Sequence, residues 1–363
     1  MAADLTDRTS TPSVVAIVVA YNGCRDLDDC LTSLQASTDG SVDLRIVIVD
    51  NHSTDGTHEL LRTKYRKLDA LLLTENLGYG AGANAGWRFL HTVNWDVDFV
   101  CILNQDIVVD AGWLTPLIET FRGNPQAAII QPQILLKQDP ELINNIGLRC
   151  HYLGLSYMLG YRSPKLGHNE PPKEIDAASG AALALRRSAF RETDPIFSED
   201  LFMYLEDVEL SWVTRCRGFS CFVVPASRVY HQFEPDGFLR NYYFMERNRW
   251  ILILAHFPLL LLTLVGPALA TMELVQLTCA ATHGVLTERF RVYGFLLAPK
   301  NIRSVFQRRS RAKRDEEMLG RDLICRFAGR IETSQLPDGH VFRILNFAFS
   351  AYWALVRVPF SLR

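Results

Sequence analysis

Three apolar runs in the first half of the chain constrain its fold more than any other feature. They are Val14 to Ala20, Leu44 to Val49 and Phe99 to Leu103. Each run has the length of a buried strand, and polar stretches long enough for helices lie between them. This alternation is typical of a mainly parallel sheet covered by helices. We therefore predict an α/β fold in which these runs are strands of the central sheet.

Size, charge and cysteine content limit the class of protein. The chain has 363 residues, 48% of them hydrophobic, which is enough to bury the core of one large domain or of a domain with an appendage. Its net charge of -2 gives no general attraction to nucleic acid. Eight cysteines without a CxxC pair, and a polar stretch over residues 1–13, favour free thiols in a reducing cytoplasm.

Polar side chains follow each apolar run, at the sheet edge where ligands of open α/β sheets bind. Asp50 comes directly after the second run, where its carboxylate can accept hydrogen bonds from a base or a ribose. Asp106 follows the third run and can hold a divalent cation, because Mg²⁺ and Mn²⁺ use a few carboxylates together with phosphate oxygens. In the simpler alternative for the second cluster, residues 53–55 only cap a helix that begins near Thr57.

A glycine-rich run over residues 75–87 passes into a predicted helix. Small residues allow a helix N-terminus to approach a diphosphate or a sugar, and the free N–H groups there favour negative charge. The run lacks the spacing of the dinucleotide-binding motif. Tight packing of the helix on the sheet explains the glycines equally well.

An acidic pair, Glu206 and Asp207, lies in an apolar segment that can form a helix. The apolar positions recur at helical spacing and are Leu201, Phe202, Leu205, Val208 and Trp212. This spacing predicts a helix with one face packed inward and the two acids at the edge of that face. A carboxylate in such a position can act as a general base.

In their order along the chain, these motifs resemble those of the family 2 glycosyltransferases with the GT-A fold. The resemblance covers residues 13 to 250 and is closest to the rhamnosyltransferase-like branch, which makes cell-surface polysaccharide and lipid-linked sugars. It implies a Rossmann-like GT-A domain at 13–250, between a polar tail at 1–12 and a helical, membrane-associated region at 251–363.

The resemblance also implies a role for each motif residue. The nucleotide-sugar site would comprise Ala20, Tyr21, Asn22, Asp50, Asn51, Ser53, Asn76, Gly80, Asn84, Asn104, Gln105, Gly180, Arg247 and Arg249. Asp207 would be the catalytic base beside Glu206, and Asp106 the remaining acid of the Asp-x-Asp metal motif. Asn104 stands where many members have Asp, which weakens direct coordination of the metal.

Two of these assignments keep an alternative. His231 ends an apolar run and is either a further metal ligand or a structural histidine. Arg247 and Arg249 follow an aromatic run, and their guanidiniums either clamp the diphosphate or are ordinary helix charges.

The C-terminal third has a different composition. Residues 251–272 contain no Lys, Arg, Asp or Glu, and the run is interrupted by prolines. A basic stretch from Arg289 to Arg314 follows, and Phe342 to Phe360 is again apolar. The pattern predicts attachment to membrane lipids on the cytoplasmic face, peripherally or through one broken inserted segment. A buried helical subdomain is the alternative, and the lack of a nucleic-acid motif predicts no nucleic-acid partner.

The resemblance, together with these features, implies an inverting glycosyltransferase. It would move a sugar, with rhamnose as the candidate, from a dTDP-, UDP- or GDP-sugar to a hydroxyl of a lipid-linked or polysaccharide acceptor, using Mg²⁺ or Mn²⁺. One rival is an inactive membrane-bound scaffold with the same fold, for which Asn104 is the only hint. Another is a nucleotidyltransferase, although no glycine-rich loop with Arg and Lys follows the first run. The sequence leaves open a homo-oligomer.

Overall fold

The computed structural model describes residues 11–38, 40–192, 194–233, 241–332 and 339–361. The chain divides into two compact units. Unit 1 consists of Met1–Gly147, Met158–Ser211 and Phe219–Phe233. Unit 2 consists of Leu148–Tyr157, Trp212–Gly218 and Glu234–Arg363.

Unit 1 is built on a ten-stranded sheet. Its strands are β1 (Ser13–Ala20), β2 (Asp43–Asp50), β3 (Asp69–Leu72), β4 (Phe99–Asn104), β5 (Ile107–Val109), β6 (Ala127–Leu136), β7 (Asp139–Asn145), β10 (Lys173–Glu174), β11 (Ala182–Arg186) and β12 (Ser220–His231). A separate two-stranded sheet, formed by β8 (Leu148–Cys150) and β9 (Ser156–Met158), belongs to unit 2 except for Met158. The helices are α1 (Cys24–Ala36), α2 (Thr57–Thr63), α3 (Tyr79–Thr92), α4 (Leu114–Gly123) and α5 (Glu206–Cys216), the last of which continues into unit 2.

The main sheet is mixed and largely parallel, which confirms the predicted α/β class. Its strand order is β10-β12-β6-β11-β4-β1-β2-β3, with β5 paired to β12 and β7 paired to β6. The three predicted runs are β1, β2 and β4, and β1 pairs in parallel with both of the others. Strands buried on both faces read as continuous apolar runs, which is why the sequence reveals them.

Helices cover both faces of this sheet. Alternate residues of β1 belong to two separate core clusters, with Val14, Ala16 and Val18 in one and Val15, Ile17 and Val19 in the other. In the second cluster α3 lies so close to β1 that a Cβ at Gly86 would come within 2.6 Å of Ile17 Cγ2. At this position the glycine is needed for packing of the helix on the sheet.

Unit 2 is mainly helical. Its helices are α6 (Tyr242–His256), α7 (Leu259–Thr282), α8 (Leu286–Leu297), α9 (Pro299–Arg314), α10 (Arg321–Arg326), α11 (His340–Val356) and α12 (Val358–Ser361). Aromatic contacts hold its two upstream segments in place. The Tyr152 ring stacks on Trp353 with centroids 4.7 Å apart, and the Trp212 centroid is 5.6 Å from that of Phe327.

The apolar run over residues 251–272, which is interrupted by prolines, forms parts of two helices. Helix α6 ends at His256, and Pro258 precedes a new helix that continues through Pro267 to Thr282. Proline lacks an N–H and restricts the residue before it, so Pro258 suits the break between the helices. Of the described helices, α7 alone is long and apolar enough to cross a membrane, and 28% of its apolar window is buried.

Candidate active site

The loops that follow β1, β2 and β4 meet at one edge of the sheet. The strand register places Ala20 beside Asp50 and Val19 beside Asn104. The Gln105 side chain binds the backbone of Tyr21, the first residue after β1. It accepts a hydrogen bond from Tyr21 N (2.8 Å) and donates one to Tyr21 O (3.0 Å). The Tyr21 side chain remains 45% exposed, so its ring is free to stack on a base.

Further hydrogen bonds connect the first two loops. Asn22 N donates to Ser53 Oγ (2.9 Å), while Asn22 Oδ1 accepts from Thr54 N (2.7 Å). Asp50 is buried, and its Oδ1 accepts from Ser53 N at 2.9 Å. The structure therefore brings these predicted donor-site residues together in one rigid cluster.

Asn51 organises the approach to α3. Its Nδ2 donates to Asn76 Oδ1 and to Gly78 O, both at 3.0 Å, and its Oδ1 accepts from Leu77 N at 3.0 Å. Gly78 has φ of +85°, and a Cβ there would lie 2.1 Å from Phe202 O. The amides of Asn51 and Asn76 thus fix the loop from which α3 starts.

Gly80 and Asn84 fasten α3 to the chain near Phe197. Asn84 is fully buried, with Nδ2 donating to Phe197 O (2.8 Å) and Oδ1 accepting from Phe197 N (3.0 Å). A Cβ at Gly80 would be 3.0 Å from Phe197 Cβ. These contacts favour the packing alternative for the glycine-rich run, and a role of either residue in sugar binding stays a prediction.

The acidic pair begins α5 instead of lying inside it. The helix predicted from Leu201 onward starts only at Glu206, because Phe202, Tyr204 and Leu205 have φ of 63°, 68° and 67°. Non-glycine residues in this left-handed region cost of order 1 kcal/mol each, and such strain concentrates at functional sites. The first turn of a helix also stabilises carboxylates through its free N–H groups and dipole.

Asp207 is held by backbone N–H groups. Its Oδ2 accepts from Gly180 N and its Oδ1 from Val208 N, both at 2.8 Å. The Tyr79 hydroxyl donates to Gly180 O, which fixes the same peptide from the other side. Burial raises the pKa of Asp207, while the N–H donors oppose that rise.

Glu206 has the opposite environment. It is buried, and its Oε2 has no hydrogen-bond partner among the described residues. Burial raises the pKa of Glu206 to about 8, and the neighbouring charge of Asp207 adds to the effect. Two N–H groups, of Gly180 and Val208, stabilise the negative charge of Asp207, so we expect Asp207 to ionise before Glu206.

A second polar group lies at the end of β12. His231 Nε2 is 3.4 Å from Asp106 Oδ2, and His231 Nδ1 is 3.0 Å from Asn144 Oδ1. Asp106 Oδ1 is buried and has no hydrogen-bond partner in the described part of the chain. A carboxylate oxygen without a partner beside an imidazole fits a divalent cation whose remaining ligands are phosphate oxygens and water. The described residues contain no group of three or more His, Cys, Asp or Glu that could hold a metal.

Sequence reasoning missed two amides that support these groups. Asn144 orients His231, and Gln131 Oε1 accepts from Ser179 N (2.7 Å), next to the Gly180 peptide that binds Asp207. Gln131 lies in β6, whose residues are all buried. A glutamine inside a fully buried strand was the available signal, since a buried amide needs partners.

The remaining predicted residues have mixed outcomes. Asn104 ends β4 with its N–H donated to Ala181 O (2.9 Å). Arg247 and Arg249 lie on α6 in unit 2 and are buried. Arg249 pairs with Glu246 (2.9 Å) and Glu273 (2.7 Å), and the Arg247 guanidinium lies 5.2 Å from the Phe244 ring centroid. These contacts account for both guanidiniums without a ligand, so the diphosphate clamp stays a prediction that the geometry does not support.

Comparison with known proteins shows the family to which the chain is similar. The chain matches the Glycosyl transferase family 2 over residues 15–193. The N-acetylglucosaminyl-diphospho-decaprenol L-rhamnosyltransferase of Mycobacterium tuberculosis is 28% identical over 247 residues, which cover 61% of this chain and 76% of that protein. Glycosyltransferase AglE of Haloferax volcanii is 35% identical over 82 residues, covering 22% of this chain and 27% of the relative.

A solved structure supports the fold alone. The crystal structure of GalNAc-T7 with UDP, GalNAc and Mn²⁺ matches with a TM-score of 0.53 at 17% identity, over 69% of this chain. This chain spans 49% of the length of that structure. With its GT-A fold and its match over residues 15–193, the chain is a family 2 glycosyltransferase, similar to a mycobacterial rhamnosyltransferase.

Proposed function

We propose that this enzyme transfers a sugar, with rhamnose as the first candidate, from a nucleoside diphosphate to a hydroxyl of a lipid-linked glycan, with inversion. The observation that carries the proposal is the Asp207 carboxylate, fixed by the Gly180 N–H in the same unit as the strand-end loops. The candidate sugar and acceptor class rest on the name of the mycobacterial relative, an N-acetylglucosaminyl-diphospho-decaprenol L-rhamnosyltransferase.

The donor would bind at the carboxyl edge of β1, β2 and β4. The exposed Tyr21 ring offers a stacking surface for the base, and the buried Asp50 offers a carboxylate for its N–H groups or the ribose. Asp106 and His231 would hold Mg²⁺ or Mn²⁺. When bound, the cation neutralises charge on the diphosphate.

The two acids would have different tasks. Asp207 is the carboxylate to accept the proton of the attacking hydroxyl, because it ionises first and its orientation is fixed by N–H groups. Glu206, whose pKa is raised by burial to about 8, would keep its proton at neutral pH beside Asp207. Attack from the face opposite the departing diphosphate in a single displacement inverts the anomeric carbon.

The test is transfer by Asp207→Asn, which keeps the shape of the side chain and removes its basicity. We expect turnover to fall at least about 100-fold, the lower range for a general base. Donor binding, followed as a thermal shift with dTDP-, UDP- and GDP-sugars, should be retained. Asp69→Asn, at an exposed aspartate that begins β3, is the matched control and should be fully active.

Three outcomes would contradict the proposal. Near-normal turnover by Asp207→Asn excludes it as the base. Donor binding by the wild-type protein without transfer or hydrolysis would favour the inactive scaffold. Release of pyrophosphate in place of a nucleoside diphosphate would identify a nucleotidyltransferase.

A further inference from the structure

Large exposed apolar side chains concentrate in unit 2. Among the described residues, unit 1 exposes only Tyr21 and Leu72 in this class. Unit 2 exposes Leu259, Leu260, Leu274, Phe290, Leu297, Ile302, Phe306, Ile344, Phe347, Leu355 and Val358. Apolar surface on this scale usually marks an interaction site.

Helix α7 has an outward face without charge. Its exposed residues recur at helical spacing and include Leu260, Thr263, Ala270, Leu274 and Thr278. A helix face exposed to water normally carries charged side chains, and this stripe carries none over a 24-residue helix.

Helix α11 also exposes apolar side chains. Its exposed side includes Ile344, Phe347 and Leu355, and it is joined to α7 by a hydrogen bond from the Tyr352 hydroxyl to Leu264 O (2.7 Å). Two neighbouring helices of unit 2 therefore present apolar outer faces. We call the exposed residues of α7 and α11 the apolar surface.

The other side of α7 is fixed by ion pairs. Glu273 of α7 accepts from Arg249 of α6 at 2.7 Å and also binds Arg289 of α8. Arg289 is fully buried and binds Glu246 as well. Removing one partner from a buried ion pair strongly destabilises the folded protein, because the other charge is left buried and unpaired. A helix held in this way can offer one face to lipid but cannot be surrounded by it.

A basic helix belongs to the same unit. Helix α9 contains seven Lys and Arg residues and no Asp or Glu. It packs against α8, which in turn packs against α7. Each cation close to an anionic bilayer adds about 1 kcal/mol of attraction.

We propose that the apolar surface docks in the plane of an anionic lipid bilayer, with α9 at the headgroups, and that α7 does not span the membrane. The apolar faces would enter the acyl boundary, as in interfacial amphipathic helices, while Glu273 stays in its ion pairs. This inference is independent of which sugar the enzyme transfers.

Flotation of the full-length protein with vesicles tests the surface. We expect binding to vesicles of phosphatidylcholine with phosphatidylglycerol, and weaker binding to phosphatidylcholine alone. Leu274→Glu combined with Phe347→Glu should reduce the bound fraction at least about tenfold, whereas Leu72→Glu, the exposed leucine of unit 1, should leave it unchanged. Equal binding by the double variant would overturn the proposal. Failure of the wild type to float would also overturn it. In that case, a dimer that the double variant dissociates would identify a second copy of the chain as the partner of this surface.

Iodide quenching then distinguishes docking from spanning. One fluorophore is placed on Cys279, the exposed cysteine near the end of α7, and another on Leu259→Cys at its start, in a Cys279→Ser background. If α7 lies in the plane, both labels lie at the outer leaflet, so iodide enclosed inside sealed vesicles should add no quenching at either position. Quenching of one label by enclosed iodide alone would show a spanning helix and overturn the in-plane arrangement. Transfer to a short, water-soluble acceptor should be retained in the double variant, so a lost docking surface is distinguished from a wrong activity.

Discussion

At the scale of single residues, the proton on Glu206 couples stability to pH. Its pKa is about 8 in the folded protein, against an ordinary value of 4.5. The folded state therefore keeps a proton that the unfolded chain releases, and the free energy of unfolding should fall as pH rises from 4.5 through 8. Glu206→Gln cannot titrate, so urea denaturation at pH 5, 7 and 9 should show a smaller decline than in the wild type.

Asp207 contributes in the same direction, because its pKa is also raised, so some decline should remain in Glu206→Gln. Glu119→Gln, at an exposed glutamate of α4, is the control and should reproduce the wild-type slope. A slope in Glu206→Gln equal to that of the wild type would show that Glu206 is ionised in the folded protein at neutral pH.

The paired Asp106 and His231 lead to a prediction on the metal. We expect activity to be lost in EDTA and restored by Mn²⁺, with weak affinity because the protein supplies few ligands. Asp106→Ala should abolish the Mn²⁺-dependent thermal shift seen with a nucleoside diphosphate, and His231→Ala should weaken it. Full activity in EDTA would refute the requirement, and an unchanged shift in His231→Ala would leave that histidine a structural role.

Asp106 and His231 were predicted from the sequence, but Asn144, which binds His231, was not. His231 lies opposite Ile107 across the antiparallel β5–β12 pairing, which brings it beside Asp106. The family resemblance named both residues, whereas Asn144 comes from β7 through pairings that no local pattern encodes. Residues that follow buried strands are visible in a sequence. Amides brought to them by distant strands are not.

At the scale of elements, the packing of α3 on the sheet predicts a cost for added volume. Gly86→Ala would place a Cβ 2.6 Å from Ile17 Cγ2 in the core, and overpacking of this kind costs about 1–3 kcal/mol. Gly123→Ala is the matched control, because no atom lies within 4 Å of a Cβ at that exposed end of α4. Its stability should change by less than about 0.5 kcal/mol, measured by denaturation. Equal stability of the two variants would contradict the close packing of α3.

The elements also show where periodicity misleads. Strands β1, β2 and β4 were predictable because burial on both faces leaves a continuous apolar run. The apolar spacing from Leu201 to Trp212 predicted one helix, yet Tyr204 and Leu205 adopt left-handed backbone and delay its start to Glu206. Side-chain spacing reports which residues face inward, but it does not report backbone strain that tertiary contacts impose.

At the scale of the whole molecule, the predicted domain boundary after residue 250 divides unit 2. Upstream residues Tyr152 and Trp212 pack there against Trp353, Phe257 and Phe327. A chain ending at residue 250 would lose these aromatic partners and would also separate Arg249 from Glu273. We therefore expect the 13–250 fragment to be insoluble or to bind a hydrophobic dye, in contrast to the full-length protein.

The Trp212→Ala variant of the full chain provides the matched comparison. It removes one aromatic contact set and keeps the ion pairs, so it should fold with stability lowered by about 3–5 kcal/mol, the usual cost of truncating a buried Trp. If the 13–250 fragment instead unfolds cooperatively and transfers sugar at the wild-type rate, the part of unit 2 that follows residue 250 is dispensable for folding. The predicted boundary would then be correct, and the contacts of Tyr152 and Trp212 would be incidental to stability.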